Sequence, residues 1–389
     1  MTSTKSVRKR ILVLSSSTGS GHDMRARAFA SWLRRLGRKD IEVRIEQVIE
    51  NGSRLGAFGV WLYNTIQRYC PRVHNLYWFV VETLISSHGG GVSFGGRYYR
   101  KLLANYRPDM VFSVHDSTNR GYFEDAKKVL GESVVTVTYC GEWSGGYGYS
   151  KNWVSAAVDH FYARTEESLE YAHRLGLPPE KGKVFHKLLP PSVFQLTMAA
   201  DAVADYRANE LGLDRDRFTV FLATGAFGAN HHLPFLRSLL RLNQTIQVVA
   251  VCGRNQKIHQ QLVGWQRRHP QMRLFVEGYS DRMTTLMQVS DAVVTRGGAN
   301  TTMEALHIGC PIIYNGMGGL MPQETCTVRY FRKHGAAVFI RTPDQLARAV
   351  EHWMGKGASW QRAKDALEVL HWDENPEDFV QDVLATLDV

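Results

Sequence analysis

The alternation of apolar and polar positions along the chain predicts two series of buried parallel strands. Short apolar runs are separated by longer amphipathic stretches, which is the pattern of parallel sheets crossed by helices. The predicted strands of the first half are residues 11–14, 43–47, 110–114 and 134–138. Those of the second half are residues 219–223, 247–251, 274–276, 292–295 and 311–314. The predicted fold class is therefore α/β, with two doubly wound, Rossmann-like domains in tandem.

A proline-rich turn, Leu189-Pro190-Pro191, separates the two series of strands. We therefore predict an N-terminal domain over residues 1–195 and a C-terminal domain over residues 196–389. The last residues, 376–389, have the pattern of an amphipathic helix and are assigned to the second domain. Open parallel sheets bind ligands at the carboxyl ends of their strands, so the active site is expected in a central cleft between two facing sheets.

Composition excludes several classes of protein. A length of 389 residues suits two domains, and 44% hydrophobic with 22% charged residues is typical of a globular protein. The most apolar stretch, residues 76–81, ends at Glu82 and is far shorter than the roughly 20 residues of a membrane-spanning helix. The five cysteines show no CxxC spacing, which argues against a disulfide framework and a zinc site. A reducing cytoplasm is the expected compartment, and no metal site is predicted.

Net charge is distributed unevenly along the chain. Residues 1–195 contain 27 Lys+Arg against 17 Asp+Glu and the remainder contains 20 of each, so the whole excess of +10 lies in the first half. A basic half beside a neutral half suggests an anionic partner for the first domain. Nucleic acid is one such partner, but the sequence has no helix-turn-helix, zinc-finger or RNP-type pattern. We therefore predict an anionic membrane surface as the partner, and no nucleic acid.

A glycine loop follows the first predicted strand. Gly19 and Gly21 flank Ser20, and His22 stands just before a helix expected to begin near Met24. Small residues let backbone N–H groups approach an anion at a helix N-terminus, so this loop is predicted to bind the acceptor or a phosphate. No third glycine follows at the spacing of the dinucleotide fingerprint. An imidazole at this position can accept a proton from a hydroxyl, or it can cap the helix and pack locally.

Motifs along nearly the whole chain resemble those of one known family. They are the opening ILVLSSSTGSGHDMRARAFASWL, residues 251–255, Gly278, residues 290–311 and Pro322-Gln323-Glu324. These segments are similar, in order, to motifs of the monogalactosyldiacylglycerol synthases and the related processive diacylglycerol glucosyltransferases of bacteria. The resemblance implies a GT-B fold, a UDP-sugar donor held by the C-terminal domain and an acceptor held by the N-terminal domain. It also implies inversion at the anomeric carbon and no obligatory metal or other cofactor.

Residues of the second half suit such a donor chemically. Gly297, Gly298 and the first turn of the following helix can hold a pyrophosphate, which the helix dipole also favours. Glu304 is expected to accept hydrogen bonds from a ribose, and Gln323 with Glu324 to bond the hydroxyls of a hexose. The alternatives are an ordinary capped helix and a solvated polar loop. The predicted donor-binding residues are Gly225, Phe227, Arg254, Val276, Gly278, Gly297, Gly298, Asn300, Thr301, Glu304, Gln323 and Glu324.

Three parts of that set have particular interpretations. The glycines of residues 225–228 permit close backbone approach beneath the donor. Arg254 either contacts the nucleotide or holds its domain together through a buried ion pair. Residues 276–280 correspond to the loop in which the family reads uracil, mostly through its backbone.

The predicted catalytic residues are His22, His115 and Glu142. In an inverting transfer the acceptor hydroxyl needs a base, and His22 is expected to be that base or to orient it. The family often has an aspartate where this chain has Ser17, and another where it has Tyr139. Glu142 can replace the second of these carboxylates, and His115 matches a family histidine. Each is otherwise a packed or loop residue.

Residues 55–106 are rich in aromatic and basic side chains. Such rings lie at headgroup depth in a bilayer, and each nearby cation contributes about 1 kcal/mol on anionic lipid. The alternative is that the rings belong to the core and the cations are simply solvated. The predicted membrane residues are Trp61, Trp78, Arg97, Arg100 and Lys101.

Together these observations predict an inverting hexosyltransferase that moves galactose or glucose from a UDP-hexose to a lipid acceptor such as diacylglycerol. It is expected in the cytoplasm, peripheral on the inner face of the membrane. A soluble or isoprenoid-linked acceptor, a UDP-sugar epimerase and a non-catalytic binding protein remain as alternatives. Oligomeric state is not predicted.

Overall fold

A computed structural model describes residues 8–19, 21–69, 73–80, 82, 95–195, 197–223 and 231–387 of the chain. These residues form two compact units. The first consists of the described residues up to 67, of those between 73 and 191, and of residues 373–387. The second consists of residues 68–69 and of the described residues between 192 and 372.

Each unit is built on a parallel sheet. The strands of the first unit are β1 (Lys9–Leu14), β2 (Ile41–Glu46), β3 (Met110–Ser113), β4 (Val135–Tyr139), β5 (His160–Ala163) and β6 (Gly182–Val184). Those of the second are β7 (Phe218–Ala223), β8 (Ile246–Val251), β9 (Leu274–Glu277), β10 (Ala292–Thr295), β11 (Ile312–Asn315) and β12 (Ala337–Ile340). Within the described residues the sheet orders are β2-β1-β3-β4-β5-β6 and β12-β11-β10-β7-β8-β9.

Helices connect the strands of both sheets. Those of the first unit are α1 (Gly21–Arg35), α2 (Val48–Gly52), α3 (Arg54–Tyr69), α4 (His74–Val80), α5 (Gly96–Tyr106), α6 (Tyr122–Leu130) and α7 (Glu166–Arg174). Those that follow are α8 (Pro191–Phe194), α9 (Ala200–Asn209), α10 (His232–Leu239), α11 (Gln256–Arg268), α12 (Met283–Gln288), α13 (Ala299–Ile308), α14 (Pro322–Lys333), α15 (Pro343–Trp353), α16 (Ala358–Val369) and α17 (Pro376–Ala385).

The prediction of two doubly wound sheets is confirmed, and every predicted strand is present. Strands β7 and β8 are buried along their whole length, as their continuous apolar sequences require. Three strands were not predicted: β5, β6 and β12. Strands β5 and β6 each contain a polar residue, His160 and Lys183, so neither forms a continuous apolar run in the sequence.

The strand orders fix where ligands can bind in each sheet. In the first sheet the order in which strands are added reverses at β1, which pairs with β2 on one side and β3 on the other. In the second sheet it reverses at β7, which pairs with β8 and β10. Crevices at the carboxyl ends of the strands open at such switch points. The segments after β1, β3, β7 and β10 are therefore where functional residues are expected.

The assignment of the terminal helix to the second domain was wrong, because α17 belongs to the first unit. Its Phe379 is only 2% exposed. The ring of Phe379 packs among five rings of the first unit, with centroid distances of 4.6 to 6.4 Å. These rings are those of Phe29, Phe112, Tyr139, Tyr162 and Phe185. The centroids of Phe29 and Phe112 lie 4.4 Å apart. Asp382 accepts hydrogen bonds from Tyr162 Oη at 2.5 Å and Lys183 Nζ at 2.7 Å. The apolar face of α17 thus completes the core of the first unit.

Replacing Phe379 by alanine should lower the free energy of unfolding by about 3–5 kcal/mol, because a buried ring leaves a cavity among other rings. Urea denaturation followed by circular dichroism measures the change. Val369→Ala is the matched control, since Val369 is 85% exposed. If Phe379→Ala were as stable as this control, the docking of α17 in the first unit would be contradicted.

Candidate active site

The glycine loop after β1 is held in place by two side chains from α2 and α3. Glu50 Oε1 accepts hydrogen bonds from Ser17 N at 2.5 Å and from the hydroxyls of Ser16 and Ser17 at 2.9 Å each. Asn64 accepts from Gly19 N at 2.9 Å and donates to Ser17 O at 3.0 Å. Gly19 has φ +69°, a conformation that favours glycine. The loop is therefore a preformed backbone structure, and Ser20 within it lies outside the described residues.

His22 and His115 lie side by side at the switch point of the first sheet. Their ring centroids are 4.1 Å apart. His22 lies in the first turn of α1, and its Nδ1 is 2.8 Å from Val114 O. Burial, with His115 and Arg25 nearby, holds the pKa of His22 well below its usual value. His22 is therefore neutral at neutral pH.

His115 has protein atoms at both ring nitrogens. Its Nε2 lies 2.8 Å from Thr18 Oγ1. Its Nδ1 lies 3.1 Å from both Ser117 N and Asp116 Oδ1. Burial lowers the pKa of His115. Its contacts tie the glycine loop to the segment after β3, which is a positioning role.

Arg25, one turn after His22, was not predicted as a site residue. It is only 3% exposed, and its Nη2 lies 2.7 Å from His22 Nδ1 and 3.2 Å from Val114 O. Its guanidinium packs directly on the backbone of Gly141 after β4. Because it lies in an ordinary helical stretch, no sequence signal distinguishes it from a surface arginine.

Glu142 follows Gly141 and is drawn into the same region. Burial, reinforced by Asp116, raises the pKa of Glu142 to about 8, while Arg25 acts in the opposite direction. A carboxyl group with such a pKa can hold a proton near neutral pH. Arg25 thus acts electrostatically on both His22 and Glu142, two of the three predicted catalytic residues.

Tyr139, where the family often has an aspartate, is part of the core. It is fully buried, and its hydroxyl donates to His186 O at 3.3 Å. Its ring lies 5.4 Å from that of Phe379 and 5.9 Å from the Arg164 guanidinium. The carboxylate of Glu50, which lies against Ser17, was missed because it is distant in sequence.

In the second unit, the N-terminus of α13 faces open space. Gly297, with φ +102°, leaves no room for a side chain, because a Cβ there would lie 2.9 Å from Val328 Cγ2. Gly298 is exposed, and a Cβ on it would meet no atom within 4 Å. It caps α13 without a side-chain hydrogen bond. An anion can therefore approach the positive end of this helix.

The other predicted residues of α13 differ in exposure. Thr301 is partly exposed, whereas Asn300 is only 7% and Glu304 only 6% exposed. Glu304 is the sixth residue of the helix rather than a first-turn acid. Burial raises the pKa of Glu304 to about 7, against the hydrogen bond with Thr284.

Gln323 and Glu324 lie in the first turn of α14. Glu324 is 3% exposed, and its carboxylate accepts hydrogen bonds from Arg296 at 2.9 and 3.2 Å and from Met321 N at 2.9 Å. Arg296 also donates to the carbonyls of Met317 and Gly319. The geometry therefore makes Glu324 an anchor for the segment before α14. Gln323, which is partly exposed, is the better placed of the two for a ligand.

Arg254 and Tyr279 form an exposed pair at the ends of β8 and β9. The Arg254 guanidinium lies 5.1 Å from the centroid of the Tyr279 ring, which is 58% exposed. The alternative of a buried ion pair for Arg254 is therefore wrong. Val276 is partly exposed, and Gly278 faces open space, since a Cβ there would meet no atom within 4 Å.

His231, just before α10, contacts Asn315 at the end of β11. Its Nδ1 accepts a hydrogen bond from Asn315 Nδ2 at 3.0 Å, since Asn315 Oδ1 accepts from Met317 N at 2.9 Å. Burial, with Arg296 nearby, lowers the pKa of His231. Gly225 and Phe227, the predicted donor residues that precede it, lie outside the described residues.

Helices α3 and α4 carry most of the exposed large apolar side chains of the first unit. Contacts between Tyr77 and both Gly59 and Tyr63 join the two helices. We call the following set the α3–α4 apolar surface: Leu55, Phe58, Trp61, Val73, Leu76, Phe79 and Val80, each 41 to 64% exposed.

The predicted membrane residues are divided between this surface and other places. Trp61 belongs to the α3–α4 apolar surface and is 58% exposed. Trp78 is partly buried against Tyr147. Arg97, Arg100 and Lys101 are exposed on α5, where Arg100 pairs with Asp125 at 2.8 Å.

Two further properties hold for the part of the chain that the structure describes. None of its helices combines the length and the apolar character needed to cross a bilayer. It also contains no group of three or more His, Cys, Asp and Glu side chains arranged to hold a metal ion.

Known proteins match the chain over nearly its whole length. Residues 219–367 match the family described as Glycosyltransferase family 28 C-terminal domain. A processive diacylglycerol beta-glucosyltransferase of Bacillus cereus is 24% identical over 384 residues, covering 97% of this chain and 93% of the relative. One of the same name from Bacillus pumilus is 22% identical, covering 98% of this chain and 96% of the relative.

Solved structures show the same fold. MurG of Acinetobacter baumannii has a TM-score of 0.61 and 16% identity, with 96% of this chain and 98% of that chain covered. A UDP-glucosyltransferase of Polygonum tinctorium has a TM-score of 0.59 and 13% identity, with 98% and 99% covered. Sheet topology, structural likeness and the two kinds of sequence match agree. The chain is thus a glycosyltransferase of the GT-B fold, and its sequence is similar over nearly its whole length to the processive diacylglycerol β-glucosyltransferases.

Proposed function

We propose that this enzyme transfers a hexose, glucose or galactose, from a UDP-sugar to the hydroxyl of a lipid such as diacylglycerol, with inversion at the anomeric carbon. The observation that carries the proposal is the open N-terminus of α13, at the switch point of the second sheet. The names of the relatives make diacylglycerol the first acceptor to test and glucose the first sugar. No cofactor is required by this chemistry.

The donor is proposed to bind along the carboxyl ends of the second sheet. Its diphosphate suits the N–H groups and the dipole at Gly298. The buried Glu304 offers an acceptor for ribose hydroxyls, and the exposed Tyr279 ring offers a flat apolar face for the uracil near Gly278. Gln323 supplies both a donor and an acceptor for the hydroxyls of the hexose.

The acceptor is proposed to bind at the cluster of His22, His115 and Glu142, beside the glycine loop. Its oxygen attacks the anomeric carbon and forms the new C–O bond, while the bond to UDP breaks and UDP leaves with the electron pair. The hydroxyl proton must pass to a base as its oxygen attacks. The electropositive end of α13 would stabilise the diphosphate as it departs.

His22→Ala should lower turnover about 10²- to 10⁴-fold, because a group that orients or deprotonates the attacking hydroxyl is lost. The assay supplies UDP-glucose, UDP-galactose and UDP-N-acetylglucosamine in turn with diacylglycerol vesicles and detects glycolipid. His352→Ala, which removes an exposed histidine on α15, is the control. An unchanged rate would exclude His22 from the reaction. Consumption of the donor without glycolipid would instead support a soluble acceptor or epimerisation.

Substitutions of Gln323 and Glu324 should differ in their effects on stability and on the KM for the UDP-sugar. Glu324→Ala should destabilise the enzyme by about 3–5 kcal/mol, because Arg296 would remain buried without its partner. Gln323→Ala should change stability by less than about 0.5 kcal/mol but raise the KM for the UDP-sugar. Urea denaturation and steady-state kinetics on both variants measure this. A stable Glu324→Ala with a raised KM would return Glu324 to the role of sugar ligand.

Access to a lipid acceptor is proposed to come through peripheral binding of the α3–α4 apolar surface to an anionic membrane. The exposed aromatic rings of this surface favour the bilayer interface. The exposed cations Arg97 and Lys101 on α5 favour anionic headgroups. The proposed location is the membrane surface on the cytoplasmic side.

Changing both Trp61 and Phe79 to serine should weaken binding to phosphatidylglycerol vesicles by more than about tenfold, because two rings no longer leave water. Co-sedimentation measures the bound fraction. The control is Val369→Ser, which alters an exposed apolar side chain in the second unit. Equal binding by all three proteins would contradict the use of this surface.

A further inference from the structure

His22 has two neighbours at one ring nitrogen. Its Nδ1 lies 2.7 Å from Arg25 Nη2 and 2.8 Å from Val114 O. These neighbours require opposite protonation states, because a guanidinium can only donate a hydrogen bond and a carbonyl can only accept one. Nδ1 therefore either accepts from Arg25 or donates to Val114.

Charge favours the bond from Arg25. Burial, together with Arg164, lowers the pKa of Arg25 to about 10, which still leaves the guanidinium charged at neutral pH. A hydrogen bond from a charged donor is roughly twice as strong as a neutral one. The same Nη2 lies 3.2 Å from Val114 O, so Arg25 also donates a hydrogen bond to this carbonyl. In the other state, two N–H groups would face each other across 2.7 Å.

The backbone after β4 holds Arg25 in this position. A Cβ added to Gly141 would overlap Arg25 Nη1 and would lie 2.5 Å from its Cζ. A residue with any side chain at position 141 would therefore displace the guanidinium. Since Gly141 does not have positive φ, its lack of a side chain, rather than its backbone freedom, is what the site uses.

The other charged groups around the two histidines do not favour a positive charge on His22. His115 disfavours a positive charge on His22, as does Arg25. The carboxylates of Asp23, Glu50 and Asp116 act on His115 instead. His22 therefore stays neutral, and the only question is which of its nitrogens carries the proton.

We infer that Arg25 is a positioning residue that holds His22 in the tautomer with its proton on Nε2. His22 then donates a hydrogen bond to the acceptor oxygen and is not the base, a consequence that rests on the proposed function. The hydroxyl proton passes to Glu142, next to Gly141, in those molecules in which this carboxyl group is ionised, as the new C–O bond forms and UDP leaves. The tautomer itself can be tested without any substrate.

Nitrogen NMR of the full-length protein, labelled with ¹⁵N-histidine, tests the tautomer. Loss of one pair of signals in His22→Gln identifies His22 among the 15 histidines. We expect an unprotonated Nδ1 and a protonated Nε2 in the wild type. In Arg25→Met and in Gly141→Ala the proton should move to Nδ1, because Val114 O becomes its nearest partner. Arg34→Met, an exposed arginine on the same helix, should leave the pattern unchanged.

A protonated Nδ1 in the wild type would overturn the inference, whatever the variants do. So would an unchanged pattern in a folded Arg25→Met or Gly141→Ala, with folding checked by circular dichroism and thermal unfolding. These two variants reach the same effect from different elements, so one can fail to fold without removing the test.

Activity gives a second readout that depends on the proposed function. The side-chain amide introduced by His22→Gln keeps an N–H near the position of Nε2. Turnover of this variant should therefore exceed that of His22→Ala by about tenfold, the worth of one good hydrogen bond. Equal loss in both variants would contradict the donor role. Absence of transfer from every UDP-sugar would overturn the proposed function and leave the NMR result standing.

Discussion

The parallel pairing of strands on either side of a switch point is the constraint on which the candidate residues of each unit depend. Leu14 pairs with Ser113, so the glycine loop after β1 and the segment after β3 leave the first sheet at the same edge. Val294 pairs with Leu222, which brings the start of α13 beside the end of β7. Since all carboxyl ends of a parallel sheet lie at one edge, residues distant in sequence meet there.

Burial of charge is the second theme of the first unit. Arg25 and Arg164 are 3% and 1% exposed, yet both stay near one another and near Glu142. Buried charges are costly unless they are paired or hydrogen-bonded. Retaining such a cluster in a core is typical of functional sites, where environments separate the proton affinities of neighbouring groups. Neutral histidines beside a proton-binding carboxyl are one such arrangement.

Sequence reasoning found the framework of the molecule and the segments that form the site, because apolar strands and glycine loops are local signals. It did not find Glu50, Asn64 or Arg25, since their roles come from contacts made by folding. It did not find the buried pairing of Glu324 with Arg296, because a polar residue near a proline looks the same in the sequence whether it faces a ligand or another side chain. It also placed α17 by its position in the chain, whereas the apolar pocket around Phe379 decides where that helix packs.

A guanidinium beside a histidine changes which group would donate a hydrogen bond and which would accept the proton in the proposed reaction. A carboxylate at that nitrogen would favour a proton on Nδ1 and leave Nε2 as a base, whereas Arg25 favours the reverse. The absence of carboxylates at Ser17 and Tyr139 is then consistent with a histidine that donates a hydrogen bond instead of acting as a base. A site whose histidine donates needs a base elsewhere, and the proposed base is Glu142, whose ionised form becomes more abundant as the pH rises towards its pKa of about 8. In this proposal the hydrogen-bond donor is on α1 and the base follows β4, and Arg25, itself on α1, packs against the segment after β4.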